Sequence, residues 1–459
     1  MSPENFDDTI FLFIMETYFI HVSKLQEVLI MRTTRACNHV VRIISFKVHV
    51  VVTACLIFSL LHHESNNALA QSVNDPNLSV ESFVKGLSSP TSMAFLNNEN
   101  ILVLEKGGQV RLVSNGELVP QPVLQVPVDT DSERGLLGIA VMNGGKTGSS
   151  TASSSTQNAG AQTVFLYYTE SGEEAGELRN SVYKYNWNGQ TLDDPTMLVD
   201  LPAIPGPNHD GGKLTIGPDN YLYGIIGDLN HDGKLQNFPD GPDPDDTGMI
   251  FRVNPNDGTP APDNPLSTDP NNPLSKYYAY GIRNSFGLTF DPVTNNVWDT
   301  ENGPASNDEI NLVKPGFNSG WQTIMGPIST SGSTENDLVI FPGSHYADPL
   351  LTWLDPVAVT DIEFLDSSSL GETYSNNVFV GDYNNGNLYY FRVNPDRSAL
   401  VLDNLPDLVV DNEEEQSSIT FGNGFGSITD LETGPDGYLY VLSFDSGTIY
   451  RVVPSSAAA

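Results

Sequence analysis

A strand–turn–strand unit that occurs twice constrains the fold of this chain most strongly. It reads IGPDNYLY at residues 216–223 and returns as TGPDGYLY at residues 433–440. Gly-Pro-Asp turns between short apolar runs of period two are typical of antiparallel strands. Helical periodicity is nearly absent after residue 75. The sequence therefore predicts an all-β domain built by repeating one structural unit.

Four weaker copies of the unit occupy residues 94–103, 139–167, 288–299 and 362–380. Most of the six copies are followed by a further apolar strand, as at residues 109–113 and 448–452. Four strands in each unit of roughly 65 residues predict a propeller blade. We therefore expect a six-bladed β-propeller over residues 75–454, with four-stranded antiparallel blades around a central channel and a tail at 455–459. Loops from all units would converge at the channel mouth, where a binding site is expected.

The first 70 residues are predicted to be an extension and a signal peptide. The apolar run Val50–Leu61 has roughly 12 residues, which suits a signal peptide, whereas a membrane helix needs about 20. The small residues Ala68 and Ala70 predict cleavage after Ala70. A start at Met31 would place basic residues before the run, so residues 1–30 are interpreted as preceding the true start. The protein is expected to be secreted; the alternative is an uncleaved anchor that leaves the domain on the outer face of the membrane.

Charge and cysteine content exclude several functions. Both cysteines, Cys37 and Cys55, lie in the removable segment, so the mature chain would have no disulfide. The chain has 57 acidic and 21 basic residues and a formal charge of −36. Such a surface repels nucleic acid and anionic lipid, and it favours solubility and cation binding. Adaptation to a salty medium is the simpler explanation of the charge. The Ser- and Gly-rich insert at residues 144–162 is predicted to be a mobile loop.

His209 is the strongest candidate for a general base. Only His209, His231 and His345 follow the leader, and His209 lies in the glycine-rich turn NHDGGKL (residues 208–214) that enters a strand. The strand ends in IIGD, which places Asp228 where a carboxylate could orient the imidazole. The alternative for His209 is a solvated loop histidine.

Two further motifs supply a permanent cation, an amide and oxygen ligands. They are YGIRNSFGL at residues 280–288 and DTENGPASNDEINL at residues 299–312. The alternative is structural, because aspartates such as Asp228 and Asp308 often cap backbone amides at blade turns. Asp219 and Asp436, in the repeated Gly-Pro-Asp turns, are interpreted as structural.

These motifs resemble those of a known family. His-x-x-Gly, Gly-Asp, Tyr-Gly-x-Arg-Asn and Gly-Pro-x-x-x-Asp-Glu-Ile-Asn-Leu occur in this order in the soluble pyrroloquinoline-quinone (PQQ) glucose, sorbosone and aldose dehydrogenases. The resemblance covers about residues 80–453, and GLSSP (residues 86–90) and RGLLG (residues 134–138) agree with it.

The resemblance implies a sugar oxidation and assigns roles to individual residues. His209 would take the proton from the anomeric hydroxyl of a small sugar, with Asp228 as its partner. Arg283 and Asn284 would hold the quinone oxygens, and Glu133 would lie beside the cofactor. Electrons would pass on to a quinone, a cytochrome or a copper protein.

The resemblance also implies a calcium ion. The carbonyl oxygens of Gly303 and Pro304 and the carboxylate of Asp308 would bind it, since calcium prefers oxygen ligands. The ion would polarise the quinone carbonyl. A second candidate, the EF-hand-like stretch at residues 228–233, has Pro239 in place of the twelfth-position glutamate and is interpreted as a turn.

The chain departs from the family at the residues that bind the cofactor's carboxylates. Asn384 stands at the position of a lysine, and Ser427 and Thr429 stand where the family has arginines. PQQ is a tricarboxylate, so the change removes charge-assisted hydrogen bonds worth about 1.5–3 kcal/mol each. The pocket would therefore bind PQQ more weakly or hold a different ligand.

Two other classes of function stay open. One is a calcium-supported propeller without cofactor that binds glycan or protein, and the other is a calcium-dependent lactone or ester hydrolase. Trp321 and Trp353 are candidates either for stacking on a sugar ring or for the core.

Overall fold

Thirty β-strands form in residues 71–143, 162–172 and 178–455, the part of the chain that the computed structural model describes. The predicted signal peptide, its cleavage site and nearly all of the insert at residues 144–162 lie outside these ranges. So does the tail after residue 455. The signal peptide, the mobile loop and the tail therefore stay predictions.

The strands in the first half of the described chain are β1 (Ser72–Val73), β2 (Leu78–Lys85), β3 (Pro90–Phe95), β4 (Asn100–Glu105), β5 (Gln109–Ser114), β6 (Glu117–Leu118), β7 (Leu124–Gln125), β8 (Leu136–Asn143), β9 (Gln162–Glu170), β10 (Arg179–Trp187), β11 (Leu192–Pro202), β12 (Leu214–Ile216), β13 (Leu222–Ile226), β14 (Met249–Val253) and β15 (Tyr277–Tyr280). Those in the second half are β16 (Gly287–Phe290), β17 (Val297–Glu301), β18 (Asp308–Val313), β19 (Phe317–Asn318), β20 (His345–Tyr346), β21 (Leu351–Trp353), β22 (Val359–Phe364), β23 (Val378–Asp382), β24 (Leu388–Val393), β25 (Leu400–Val401), β26 (Val409–Val410), β27 (Thr420–Asn423), β28 (Ile428–Thr433), β29 (Leu439–Ser443) and β30 (Thr448–Pro454).

Helical structure is limited to short segments. The α-helices are α1 (Ile328–Ser331) and α2 (Glu413–Ile419), and 3₁₀ turns lie at Lys234–Gln236, Pro273–Lys276 and Glu335–Asp337. Among the described residues, no helix has the length and apolar character needed to cross a bilayer.

The strands form six sheets, and the extra strands lie mostly at the outer edges. The strand orders are β3-β4-β5-β6 with β7 beside β5, β11-β10-β9-β8, β12-β13-β14-β15-β19-β20, β16-β17-β18-β21-β26, β1-β27-β24-β23-β22 with β25 beside β24, and β2-β30-β29-β28. The prediction of four strands in every blade is wrong, because only two sheets have four. Segments between blades add short strands, some of them parallel (β19, β20 and β26), that cover otherwise unpaired outer edges.

The sheets are arranged around a closed cycle. The inner strand β3 contacts β8, β8 contacts β12, β12 contacts β16, β16 contacts β22, β22 contacts β28, and β28 contacts β3 again. The N-terminal strand β2 pairs with the C-terminal strand β30, so one sheet joins both ends of the described domain. The all-β propeller predicted from the sequence is confirmed.

Apolar side chains fill the spaces between neighbouring sheets. Phe165 of β9 packs in one cluster with Phe251 of β14, and Trp298 of β17 packs in another with Tyr389 of β24. Trp353 belongs to the second cluster and is 1% exposed, so it serves the core and is not available to stack on a ligand.

The repeated Gly-Pro-Asp turn has the same contacts in both copies. Asp219 accepts hydrogen bonds from the Tyr223 hydroxyl (2.9 Å) and Arg252 Nε (2.9 Å). Asp436 accepts the equivalent bonds from the Tyr440 hydroxyl (2.9 Å) and an arginine of β30 (3.0 Å). The structural interpretation of both aspartates agrees with these contacts.

Candidate functional site

A cavity of about 740 Å³ lies among loops next to the inner strands of all six sheets. Its wall includes Ser92, Lys106, Glu133, Leu137, His209, Lys213, Arg283, Asn284, Phe286, Gly303, Asp308, Tyr383, Thr429, Asp430 and Phe444. The cavity thus brings His209, Arg283 and Asp308 to one place, as the propeller geometry predicts.

His209 and Asp228 form a buried pair at the cavity wall. His209 Nδ1 lies 2.5 Å from Asp228 Oδ1, and both residues are less than 10% exposed. Gly227 makes this approach possible, because a Cβ there would lie 2.5 Å from the carbonyl oxygens of both His209 and Arg283. With Nδ1 donating to the carboxylate, Nε2 is the nitrogen left to accept a proton.

Trp321 fixes the other oxygen of Asp228. Its indole Nε1 donates to Asp228 Oδ2 at 2.7 Å, and Trp321 is 8% exposed. The Arg283 guanidinium lies over the Trp321 ring, 5.3 Å from its centroid. Trp321 therefore contacts two predicted site residues rather than presenting its ring to the cavity.

Glu133 connects the histidine loop to the arginine motif. Its Oε2 accepts the backbone N–H of His209 at 2.6 Å and the side-chain amide of Asn284 at 3.2 Å. The Asn284 Oδ1 is buried and has no partner among the described protein groups. Asn284 therefore retains an unused acceptor at the cavity wall.

Arg283 is held by main-chain oxygens. Its Nη1 donates to the carbonyl oxygens of Asn302 (2.9 Å) and Gly303 (3.0 Å), and its backbone N–H donates to Glu301 Oε1 at 2.7 Å. Burial lowers the pKa of Arg283, partly offset by Asp228 and other carboxylates. Burial raises the pKa of Glu301 to about 7.

The groups predicted to bind calcium are largely engaged with the protein. Asp308 Oδ1 accepts the Gly303 N–H at 2.9 Å, while Oδ2 accepts the N–H groups of Val357 (2.9 Å), Ala358 (2.7 Å) and Val359 (3.4 Å). Burial raises the pKa of Asp308, and these backbone bonds oppose the rise. The carboxylate thus joins two loops and fits that role better than direct metal coordination. Its assignment as a calcium ligand stays a prediction.

The carbonyl oxygens of Gly303 and Pro304 differ in their surroundings. Gly303 lines the cavity and its oxygen accepts from Arg283, whereas Pro304 is exposed. Within the described ranges, no group of three or more His, Cys, Asp or Glu side chains is placed to hold a metal ion. Of the two residues, Gly303 is therefore the one that lies at the cavity wall.

The three positions where the resemblance predicts cations differ in their access to the cavity. Thr429 lines the cavity, and its hydroxyl donates to the Pro90 carbonyl at 3.0 Å. The Ser427 hydroxyl donates to Asp445 Oδ2 at 2.6 Å, and Asn384 is exposed; neither is among the lining residues. Thr429 is thus the one of the three placed to touch a ligand in this cavity.

Sequence reasoning missed two lysines at the cavity wall. Lys213 Nζ lies 2.8 Å from Asp361 Oδ2 and 2.5 Å from Asp430 Oδ1. Lys106 Nζ donates to the carbonyl oxygens of Thr130 (3.0 Å) and Ser132 (2.6 Å). Lys213 could have been found from the sequence, because it directly follows the glycine pair of the histidine motif. Lys106 carries no comparable motif.

The comparisons with known proteins identify the family of the chain. The family model for glucose/sorbosone dehydrogenases matches residues 87–451. This protein belongs to the glucose/sorbosone dehydrogenase family, and it is an oxidoreductase of the sugar dehydrogenase type.

Individual relatives match between 54% and 83% of this chain. The aldose sugar dehydrogenase YliI of Escherichia coli K12 is 27% identical over 390 residues, 82% of this chain and 93% of the relative. The apo-form structure of the E. coli soluble aldose sugar dehydrogenase superposes with a TM-score of 0.62 at 25% identity, covering 82% of this chain and all of the other. The quinoprotein glucose dehydrogenase B of Acinetobacter calcoaceticus is 30% identical over 272 residues, 54% of this chain and 53% of the relative. The PQQ-bound aldose sugar dehydrogenase of Streptomyces coelicolor shares the fold, with a TM-score of 0.59 at 22% identity over 83% of this chain and 99% of the other.

Proposed function

We propose that this protein is an exported, six-bladed quinoprotein that oxidises an aldose or a related sugar with His209 as the general base and PQQ as the cofactor. The His209–Asp228 pair, buried at the wall of a cavity shared with Arg283 and Asn284, carries the proposal. Relatives described as PQQ-bound or as a quinoprotein support the choice of cofactor.

The cavity offers groups that suit PQQ. Phe286, Tyr383 and Phe444 contribute aromatic surface for a planar ring system. The unpartnered Arg283 Nε and Asn284 Oδ1 supply polar atoms at the same wall. When bound, PQQ supplies a quinone that accepts two electrons and one hydrogen from the sugar carbon.

The protein's part in the reaction is proton removal and charge stabilisation. His209 Nε2 takes the hydroxyl proton while the Asp228 carboxylate stabilises the imidazolium that forms. Glu133 keeps the His209 backbone in place through its 2.6 Å hydrogen bond. The Arg283 guanidinium would stabilise the negative charge that develops on the quinone oxygens. Calcium stays part of the proposal, with the Gly303 and Pro304 carbonyl oxygens as its protein ligands.

Dye reduction tests this proposal. Purified protein given calcium and PQQ should reduce an artificial electron acceptor when glucose or another aldose is added. His209→Ala should lower the rate by roughly 100-fold or more, the usual contribution of a general base. The control is His345→Gln, since His345 lies on β20 outside the cavity wall. A folded wild-type protein that reduces no dye with any aldose would contradict the proposal.

A cofactor-free binding propeller is the second candidate, and one observation favours it. Neither Asn384 nor Ser427 lines the cavity, so two of the three positions expected to hold PQQ carboxylates do not contribute. Sugar or glycan binding in calorimetry, with no PQQ binding and no dye reduction, would select this candidate.

A further inference from the structure

Three cations line the cavity, and their surroundings differ. Lys213 is neutralised by Asp361 and Asp430, and its side chain is 10% exposed. Arg283 donates to carbonyl oxygens and packs on Trp321. Lys106 has no carboxylate oxygen within 4.0 Å among the described residues, and its ammonium contacts only carbonyl oxygens. Asp131, Glu133 and other nearby carboxylates favour its charged form without contacting the ammonium, so this cation keeps the capacity to bond a ligand in the cavity.

The fold fixes Lys106 at this place. Its backbone N–H donates to the Ser89 carbonyl, and its carbonyl accepts from the Leu136 N–H, both at 3.0 Å. Gly135 leaves room for the side-chain stem, because a Cβ there would lie 2.7 Å from Lys106 Cγ. With two of its three ammonium N–H groups donated to Thr130 and Ser132, one N–H is left for a ligand.

The position of Lys106 in its sheet corresponds to that of Asn384 in another. Lys106 lies in the turn between β4 and β5, the second and third strands outward from the channel. Asn384 lies in the turn between β23 and β24, which are also second and third in their sheet. The turn between the second and third strands thus carries a lysine in one sheet and an asparagine in the other.

We propose that Lys106 binds a carboxylate of the ligand held in this cavity and replaces, from a different sheet, the cation that position 384 lacks. The inference rests on the proposed function insofar as that ligand is PQQ. A lysine ammonium paired with a carboxylate forms a charge-assisted hydrogen bond, among the stronger polar contacts in proteins. Because two carbonyl oxygens already orient the ammonium, little side-chain freedom is lost on binding.

Calorimetric titration of the calcium-loaded protein with PQQ tests the proposal. Lys106→Gln should weaken PQQ binding roughly 10- to 100-fold, which corresponds to one lost charge-assisted bond, and Lys106→Arg should retain most of the affinity. Lys85→Gln, at an exposed lysine of β2, is the matched control and should bind like the wild type. A Lys106→Gln variant that melts normally and binds PQQ within twofold of the wild type would overturn the inference.

A second measurement uses the wild-type protein and so does not depend on the variant folding. Acetylation of lysines by an N-hydroxysuccinimide ester, read by mass spectrometry, should be slowed at Lys106 and unchanged at Lys85 when PQQ is bound. Equal labelling of Lys106 with and without bound PQQ would count against the proposal.

A second ligand separates failure of this inference from failure of the proposed function. If the wild type does not bind PQQ, the cofactor assignment fails, and benzene-1,3,5-tricarboxylate becomes the probe. Binding of this tricarboxylate that Lys106→Gln abolishes would still support the carboxylate site. No binding, or equal binding by both proteins, would overturn it.

Discussion

At the scale of single residues, His209, Asp228 and Trp321 form one hydrogen-bonded chain. The pairing of His209 with Asp228 was predicted because a glycine-rich turn and a strand end frame one hairpin, and the structure places the two 2.5 Å apart. Trp321 was not assigned to this pair, because it lies 93 residues from Asp228 and no local pattern connects them. Asp308 was predicted as a metal ligand, yet three of the four backbone N–H groups that donate to it belong to a loop 49–51 residues away.

Trp321 is expected to act as a positioning residue for Asp228. Trp321→Phe keeps an aromatic ring beneath Arg283 but removes the 2.7 Å hydrogen bond to Asp228 Oδ2. Since a hydrogen bond to a charged group is worth about 1.5–3 kcal/mol, kcat for sugar oxidation should fall roughly tenfold or more, with little change in KM. Steady-state kinetics measure the effect. Trp187→Phe, on β10 away from the cavity, should leave kcat unchanged, and a normal kcat in Trp321→Phe would contradict the assignment.

At the level of elements, the repeated turn made the fold predictable. The Asp219 and Asp436 turns bind a tyrosine of the next strand and an arginine of the strand after it, so each repeat closes its own hairpin by local contacts. Because these contacts join residues of neighbouring strands, the repeated turn can be found by inspecting the sequence. The extra outer strands, such as β19 and β26, have two residues each and depend on distant partners, so their presence was not predictable.

Loss of either aspartate should therefore destabilise the fold. Asp219→Asn and Asp436→Asn each weaken bonds to an arginine and a tyrosine, and we expect each to lower the free energy of unfolding by about 1–3 kcal/mol. Chemical denaturation of the two variants beside Asp366→Asn, at an exposed aspartate, measures this. Two variants as stable as the control would show that the repeated contacts contribute little.

At the scale of the whole molecule, buried carboxylates make stability depend on pH. Burial raises the pKa of Asp210, Glu301 and Glu363 to about 7. Between about pH 4 and pH 7 the folded protein holds more protons on these groups than the unfolded chain, so unfolding free energy falls as pH rises through that window. Above the pKa that these groups have in the folded protein, their titration no longer changes the free energy of unfolding.

Thermal melting of the calcium-free protein from about pH 4.5 to about pH 8.5 should show this decline in the free energy of unfolding. Glu363→Gln should reduce the slope by as much as about 1.4 kcal/mol per pH unit, because one buried group no longer titrates. Glu99→Gln, at an exposed glutamate, should keep the wild-type slope. High salt screens surface repulsion more than buried groups, so a slope that vanished at high salt would assign the effect to the surface charge.

The ring of six sheets matters to function because it gathers residues that are distant in sequence. His209 and Arg283 lie in different loops and Asp308 begins β18, and yet all three line one cavity. Their common location followed from the propeller prediction, whereas the two lysines that face the cavity were not predicted. Lys106 and Lys213 reach the cavity only because the ring of sheets closes, and no sequence motif shows that closure.

The most direct test of the account is the absorption spectrum of PQQ bound to the calcium-loaded protein, recorded before and after addition of an aldose without any electron acceptor. We predict that the wild type converts bound PQQ to its reduced form in a single turnover, while His209→Ala binds PQQ and leaves it oxidised. Bound PQQ that the sugar reduces equally fast in His209→Ala would contradict the assignment of His209 as the base.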